Sequence, residues 1–120
     1  MSKKPKYMTA YIELEITDYD AFEKMVSEWS ATEEKCSGTV MFEWYISDCK
    51  TKVTLIETFA DEEGQAEHMK NIETYGETFM AFTNPQKFLY LGAVTEAVKE
   101  RVAAFGFSYQ TMAGGFRRLP

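Results

Sequence analysis

Two side chains of this 120-residue chain have the chemistry to move a proton near neutral pH, and their spacing could bring them together. Glu57 sits in an alternating run, "KVTLIETF", on the face that otherwise carries Val53, Leu55 and Phe59. Eleven residues later comes His68, the single histidine, on what reads as the next helix. A carboxyl group on an apolar face loses water, which raises its pKa unless a cation lies beside it. An imidazole titrates near neutrality. Paired, the carboxylate would fix the imidazole tautomer, and the imidazole could act as a general base. Both are therefore candidate catalytic residues. The same pair also suits a purely structural contact tying a strand to a helix.

Alternation places further candidates around them. Phe42 pairs opposite Glu57, Trp44 shares its face with an indole N–H and a ring, and Phe59 lies two residues along the strand. Asn71, one turn beyond His68, could donate to a substrate oxygen. These four are candidate substrate-binding residues. Each has an ordinary reading as well: a strand Trp or Phe facing helices is common core, and Asn71 would suit a helix surface.

The elements that must position these groups follow from periodicity. Met8, Ala10, Ile12, Leu14 and Ile16 alternate with polar residues, which predicts a half-buried strand. Asp18 or Asp20 then caps a helix to about Lys35, with Phe22, Met25, Val26 and Trp29 on one face and Gly38 as its stop. "TVMFEWYIS" and "KVTLIETF", joined by "DCKT", form a hairpin that pairs Ile46 with Val53, Trp44 with Leu55, Phe42 with Glu57 and Val40 with Phe59. Asp61 caps a second helix, "EEGQAEHMKNIETYG", with Ala66, Met69 and Ile72 as its apolar stripe and His68 at the edge. A short separate helical piece, "ETFMAF", ends before Asn84-Pro85. A strand over Lys87 to Val94, a helix "EAVKERVAAF" closed by Gly106 and a last strand "FSYQTMA" complete the chain. This order predicts an α+β fold of ferredoxin-like split βαβ type, an antiparallel sheet with helices on one face. Residues 1–7 read as a flexible basic tail and 8–120 as one domain. The mixed outer face of the hairpin (Met41, Tyr45, Ile56) suggests that a second copy covers the sheet.

Composition narrows the function classes. The net charge is −6, with 13 basic against 19 acidic residues, which argues against nucleic acid as a partner. No apolar run approaches the ~20 residues a membrane span needs, and no signal-peptide core follows the basic start, so a cytoplasmic protein is expected. Cys36 and Cys49 lack any CxxC or CxH partner and read as free thiols, with no metal site expected. Nine Phe, seven Tyr and two Trp are a heavy aromatic load, fit for a bulky core, an interface or a pocket for a flat ligand.

The hairpin "FEWYISD…TKVTLIETFADEEGQAEHMKN", followed by "FLYLGAVTEAVKERVAAFG", resembles the antibiotic biosynthesis monooxygenase superfamily of dimeric α+β barrels, in particular its small bacterial members assigned to quinol or antibiotic substrates. The features that carry the resemblance are Trp44, Glu57, Asp61 and His68. It implies a homodimer and oxygenation of a small aromatic or quinol-type substrate without metal, flavin or other cofactor. Haem degradation, known in a sister group, is not implied. That group combines an Asn on the first strand, a Trp after the third and a helix His, and this chain has only His68, with Phe59 and Ala60 where the indole would stand. The resemblance thus points to a cofactor-independent monooxygenase with His68 as base and Glu57 as its partner. The competing expectation is a non-catalytic dimeric ligand-binding or stress-related module.

Overall fold

The computed structural model describes residues 7–118. The expected basic tail lies outside them, apart from Tyr7. β1 (Met8–Ile16) buries Met8, Ala10, Ile12, Leu14 and Ile16, as its alternation requires. α1 (Tyr19–Glu34) starts at Asp18, whose carboxylate accepts from the Ala21 amide at 3.1 Å. Its buried line is Phe22, Met25, Trp29 and Glu33, so the apolar stripe ends on a carboxylate.

β2 (Thr39–Ile46) and β3 (Lys52–Phe59) form the hairpin, with Ile46, Trp44 and Phe42 opposite Val53, Leu55 and Glu57. The expected pairing of Val40 with Phe59 fails. A bulge puts Thr39 opposite Phe59 and Met41 opposite Thr58, and Val40 is left exposed. The slip lets Thr39 reach Glu33, as described below.

α2 (Glu62–Ala81) is one continuous helix capped by Asp61, which accepts from the Gly64 amide at 2.8 Å. The sequence predicts two pieces. Burial of Phe79 and Phe82 at the far end outweighs the weak propensity of Gly76 and carries the helix through it. The buried line of α2 is polar where an apolar stripe is expected: Gly64, Gln65, His68 and Asn71 are buried, and Met69 and Ile72 are half-buried. Close approach sets this orientation. A Cβ at Gly38 would fall 2.4 Å from Gly64 Cα, so only paired glycines let the start of α2 lie on the turn before β2. The Thr32 and Tyr75 hydroxyls, 2.8 Å apart, tie α1 to α2 farther along.

β4 (Thr83–Gly92) begins four residues earlier than expected and includes Pro85. The proline is tolerated because the β1–β4 register shifts there, from Glu13 opposite Lys87 to Leu14 opposite Pro85. α3 (Glu96–Arg101), a single 3₁₀ turn (Ala103–Phe105) and β5 (Ser108–Gln110) follow, each shorter than the sequence pattern suggests. Gly106, at φ 75°, makes the left-handed turn between them.

The sheet runs β2-β3-β1-β4-β5. Its first four strands are antiparallel and β5 pairs parallel with β4, so the sheet is mixed and open where a purely antiparallel one is expected. The helices share one face, and the fold is the ferredoxin-like α+β arrangement that the sequence predicts. Among the described residues no helix is long and apolar enough to cross a membrane.

Candidate active site

Beneath α1 and α2 the core divides into two clusters. One gathers Phe22, Met25, Trp29, Leu55 and Phe79, with Phe42 and Trp44 packed against it. The other holds Met8, Ala10, Phe59, Tyr90, Val98 and Val102. A chain of charged side chains runs between them.

His68 is its centre. The helix position brings the ring to both sides at once: Nδ1 lies 2.8 Å from Glu33 Oε1 and Nε2 lies 3.1 Å from Glu57 Oε2. All three side chains are almost wholly enclosed. Burial opposes a charged ring, but the charge of Glu57 and the bonds to Glu33 and Glu57 outweigh it and raise the His68 pKa to about 10. At neutral pH the ring is therefore an imidazolium with both N–H groups donating. Phe59 packs against it at 4.7 Å between centroids, within cation–π range, and Trp29 stacks parallel to it at 6.2 Å.

Glu33 collects four donors. Oε1 accepts from Trp29 Nε1 at 3.1 Å, Asn71 Nδ2 at 2.9 Å and His68, and Oε2 accepts from Thr39 Oγ1 at 2.6 Å. Burial pushes its pKa up, yet the bond and charge of His68, with Thr39 and Asn71, hold it below the ordinary carboxylate value. The sequence reading missed Glu33. Its signal was present, because continuing the Phe22, Met25, Trp29 line by four residues lands on it.

A cavity of about 50 Å³ opens beside the other end of this chain. Glu57 and His68 form the polar part of its wall, and Tyr90 adds a phenol. Leu55, Phe79, Phe88 and Phe107 give it an apolar surround, and Met80, half-exposed, stands at its edge on α2. That space is a few times the roughly 10–15 Å³ needed to hold one water. Two flexible side chains, Met69 and Met80, also line it.

The structure thus brings Glu57 and His68 together and sets both in a cavity wall. The four candidate binding residues lie elsewhere. Asn71 is buried but turned to Glu33 and to Cys36 Sγ, 3.5 Å away. Phe59 backs the imidazolium from within the core, and Phe42 packs on Trp29. Trp44 belongs to the filled cluster, edge-to-face with Phe22 and Phe42. Its indole N–H is the one buried side-chain polar atom without a partner among the described residues. Alternation gave Trp44 the right face of the sheet, but the ring is spent on packing against α1. Cys36 and Cys49 are free thiols. Among the described residues no group of three His, Cys, Asp or Glu side chains is arranged to hold a metal ion.

A sheet of this order, with its helices on one face, defines a structural class. No protein-family model and no curated sequence matches the chain. Solved structures do. MupZ from Pseudomonas fluorescens superposes with a TM-score of 0.85 at 15% identity, over 98% of this chain and 94% of MupZ. SnoaB of Streptomyces nogalater, described as a cofactor-independent oxygenase, gives 0.64 at 12% identity over 75% of this chain and 95% of its own. A Nitrosomonas europaea protein named as a candidate antibiotic biosynthesis monooxygenase gives 0.65 at 15% identity, over 80% and 98%. The chain shares the fold of these structures, one of which is named for the same monooxygenases that the run containing Trp44, Glu57, Asp61 and His68 resembles.

Proposed function

We propose that the cavity is the active site of a cofactor-independent monooxygenase acting on a small, apolar, hydroxylated substrate of aromatic or quinol type. The observation that carries this reading is the enclosed chain Glu33–His68–Glu57, which reaches the apolar cavity at one end. Fold likeness to an oxygenase supports it by analogy.

The geometry changes how the proton would move. Both imidazole nitrogens are occupied and the ring is already charged, so His68 is not the group that meets a substrate hydroxyl. Glu57 is. Its carboxylate takes the hydroxyl proton, and the adjacent imidazolium stabilises the phenolate or enolate that forms. Glu33 keeps the ring charged and fixed. Once ionised, the substrate is electron-rich enough to pass electrons to O₂ itself. For a dihydroxynaphthalene the sum is one substrate and one O₂ giving a hydroxynaphthoquinone and water, with every electron supplied by the substrate.

The test is oxygen consumption with 1,4-dihydroxynaphthalene, corrected for its spontaneous oxidation. Glu57→Gln keeps the hydrogen-bonding shape but cannot take the proton, and should lower the rate by about 100-fold or more. Turnover equal to the parent's would remove the assignment. A second reading, a binding module with a structural Glu33–His68–Glu57 knot, is favoured by the small cavity and by the full occupancy of the imidazole. It predicts no turnover in parent or variant.

We also propose that a second copy covers the sheet face opposite the helices, where Tyr11, Tyr45, Ile56 and Leu91 point away from the core. Sedimentation should give twice the 13.8 kDa chain mass. A monomer at micromolar concentration would contradict it.

A further inference from the structure

One polar residue of the cavity wall, Tyr90, takes no part in the Glu33–His68–Glu57 chain, and a buried relay stands behind it. Gln65, on α2 one turn before His68, is fully buried. Its Oε1 accepts from Arg101 Nη1 at 2.6 Å, and its Nε2 donates to Tyr90 Oη at 3.3 Å. Arg101 is itself held from α3 by the carbonyl of Glu62 and by the Glu62 carboxylate, 3.6 Å away.

This relay has one direction. A guanidinium only donates, so the atom it meets must be the amide oxygen, and the amide nitrogen is left to face the phenol. Tyr90 Oη then receives a hydrogen bond and its own hydrogen must point elsewhere. Among the described residues Tyr90 Oη has no hydrogen-bond partner but Gln65. The residue is 2% exposed and its ring lies in the cavity wall with Glu57 and His68. A buried hydroxyl with an unspent donor is costly unless something accepts it. Burial and the nearby Glu57 charge keep the phenol protonated, so the donor persists across the working pH range.

We propose that Tyr90 is the specificity-determining donor of the cavity, aimed by Gln65 and Arg101 at an acceptor oxygen, of carbonyl or ether type, on an otherwise apolar ligand. The proposal rests on taking this cavity as the substrate site. It assigns Tyr90 to ligand recognition and Arg101 to positioning, through the orientation of Gln65. If Arg101 is removed, the Gln65 amide is free to turn and accept from Tyr90 itself, which would consume the donor with the phenol still in place.

The experiment compares two probes of nearly identical shape, acetophenone and α-methylstyrene, which differ in a carbonyl oxygen against a methylene. Binding is followed by NMR titration under nitrogen, so the result does not depend on oxygenation. Tyr90→Phe should weaken acetophenone by about tenfold and leave α-methylstyrene within about twofold. Arg101→Met should show the same selective loss, which a merely structural role would not produce. Equal weakening of both probes, no change in either, or failure of acetophenone to bind the parent would overturn the proposal. Selective loss in both variants, in a protein that consumes no oxygen with 1,4-dihydroxynaphthalene, would leave the donor assignment standing and remove the monooxygenase reading alone.

Discussion

The two ends of the helix-covered layer are built differently. At the α1 end, a 16-residue helix lies along β2 and β3, and Phe22, Trp29, Phe42, Trp44 and Phe79 fill the space edge against face, with centroids 5.5–6.3 Å apart. At the α3 end, a six-residue helix, one 3₁₀ turn and a three-residue strand must cover β4, and they leave the cavity. Both ends are rich in aromatic rings, so composition does not separate them. Length of cover does. The charged chain lies on the boundary, with Glu33 sunk in the filled end and Glu57 facing the hollow one.

Breaking the filled end should cost most. Glu33→Ala would leave His68, Asn71, Trp29 and Thr39 without their shared acceptor and expose a buried charge, for a loss of about 3–5 kcal/mol in denaturant unfolding. A loss below ~1 kcal/mol would show that the knot is not what joins α1 to α2.

That residue also marks what was legible in the sequence. The order of elements, the hairpin register from Phe42 to Ile46, the helix caps Asp18 and Asp61 and the pairing of Glu57 with His68 follow from period and capping signals that act locally. Glu33 was hidden because a charged residue at the end of an apolar stripe reads as the return to solvent. That Trp44, Phe42, Phe59 and Asn71 lie away from the cavity was hidden for a related reason. Alternation and helical spacing say which face a side chain takes, but not whether that face is filled or hollow. That depends on how far α3 reaches, and its shortness is a tertiary outcome. The bulge at Val40 and the strand through Pro85 are likewise settled by neighbours: Thr39 reaching Glu33, and β1 shifting register.

The next effect in size is on pH. The folded His68 pKa, about 10, lies above its ordinary 6.5, so its contribution to stability is complete below pH 6.5 and is lost as pH rises toward 10. Glu33 is shifted the other way, and its contribution is lost as pH falls below the ordinary carboxylate range. Stability should therefore peak between these limits and fall on the order of a few kcal/mol by pH 10. The alkaline decline should vanish in His68→Gln. A decline of the same size in that variant would assign it to other groups.

The hollow end answers to smaller changes. Gly76 lies in the cavity wall, and a Cβ there would meet only Ile72 Cγ2, at 3.3 Å. Gly76→Ala should stabilise α2 by about 0.5 kcal/mol, since Ile72 can turn toward the cavity, while weakening acetophenone binding. Destabilisation with unchanged binding would mean that this side of the cavity is already closed. Smallest of all, Trp44→Phe removes an unpartnered buried N–H along with some ring contact. It should change stability by about 1 kcal/mol or less and leave activity unaffected, as expected of a residue in the filled end.

The central claim is that His68 is a fixed imidazolium between two carboxylates, and the chain's single histidine makes this directly observable. Nitrogen-15 NMR of the imidazole across pH 5–11 should show both ring nitrogens protonated at pH 8, with one transition near 10. A neutral ring at pH 8, titrating near 6.5 as one tautomer, would contradict the account.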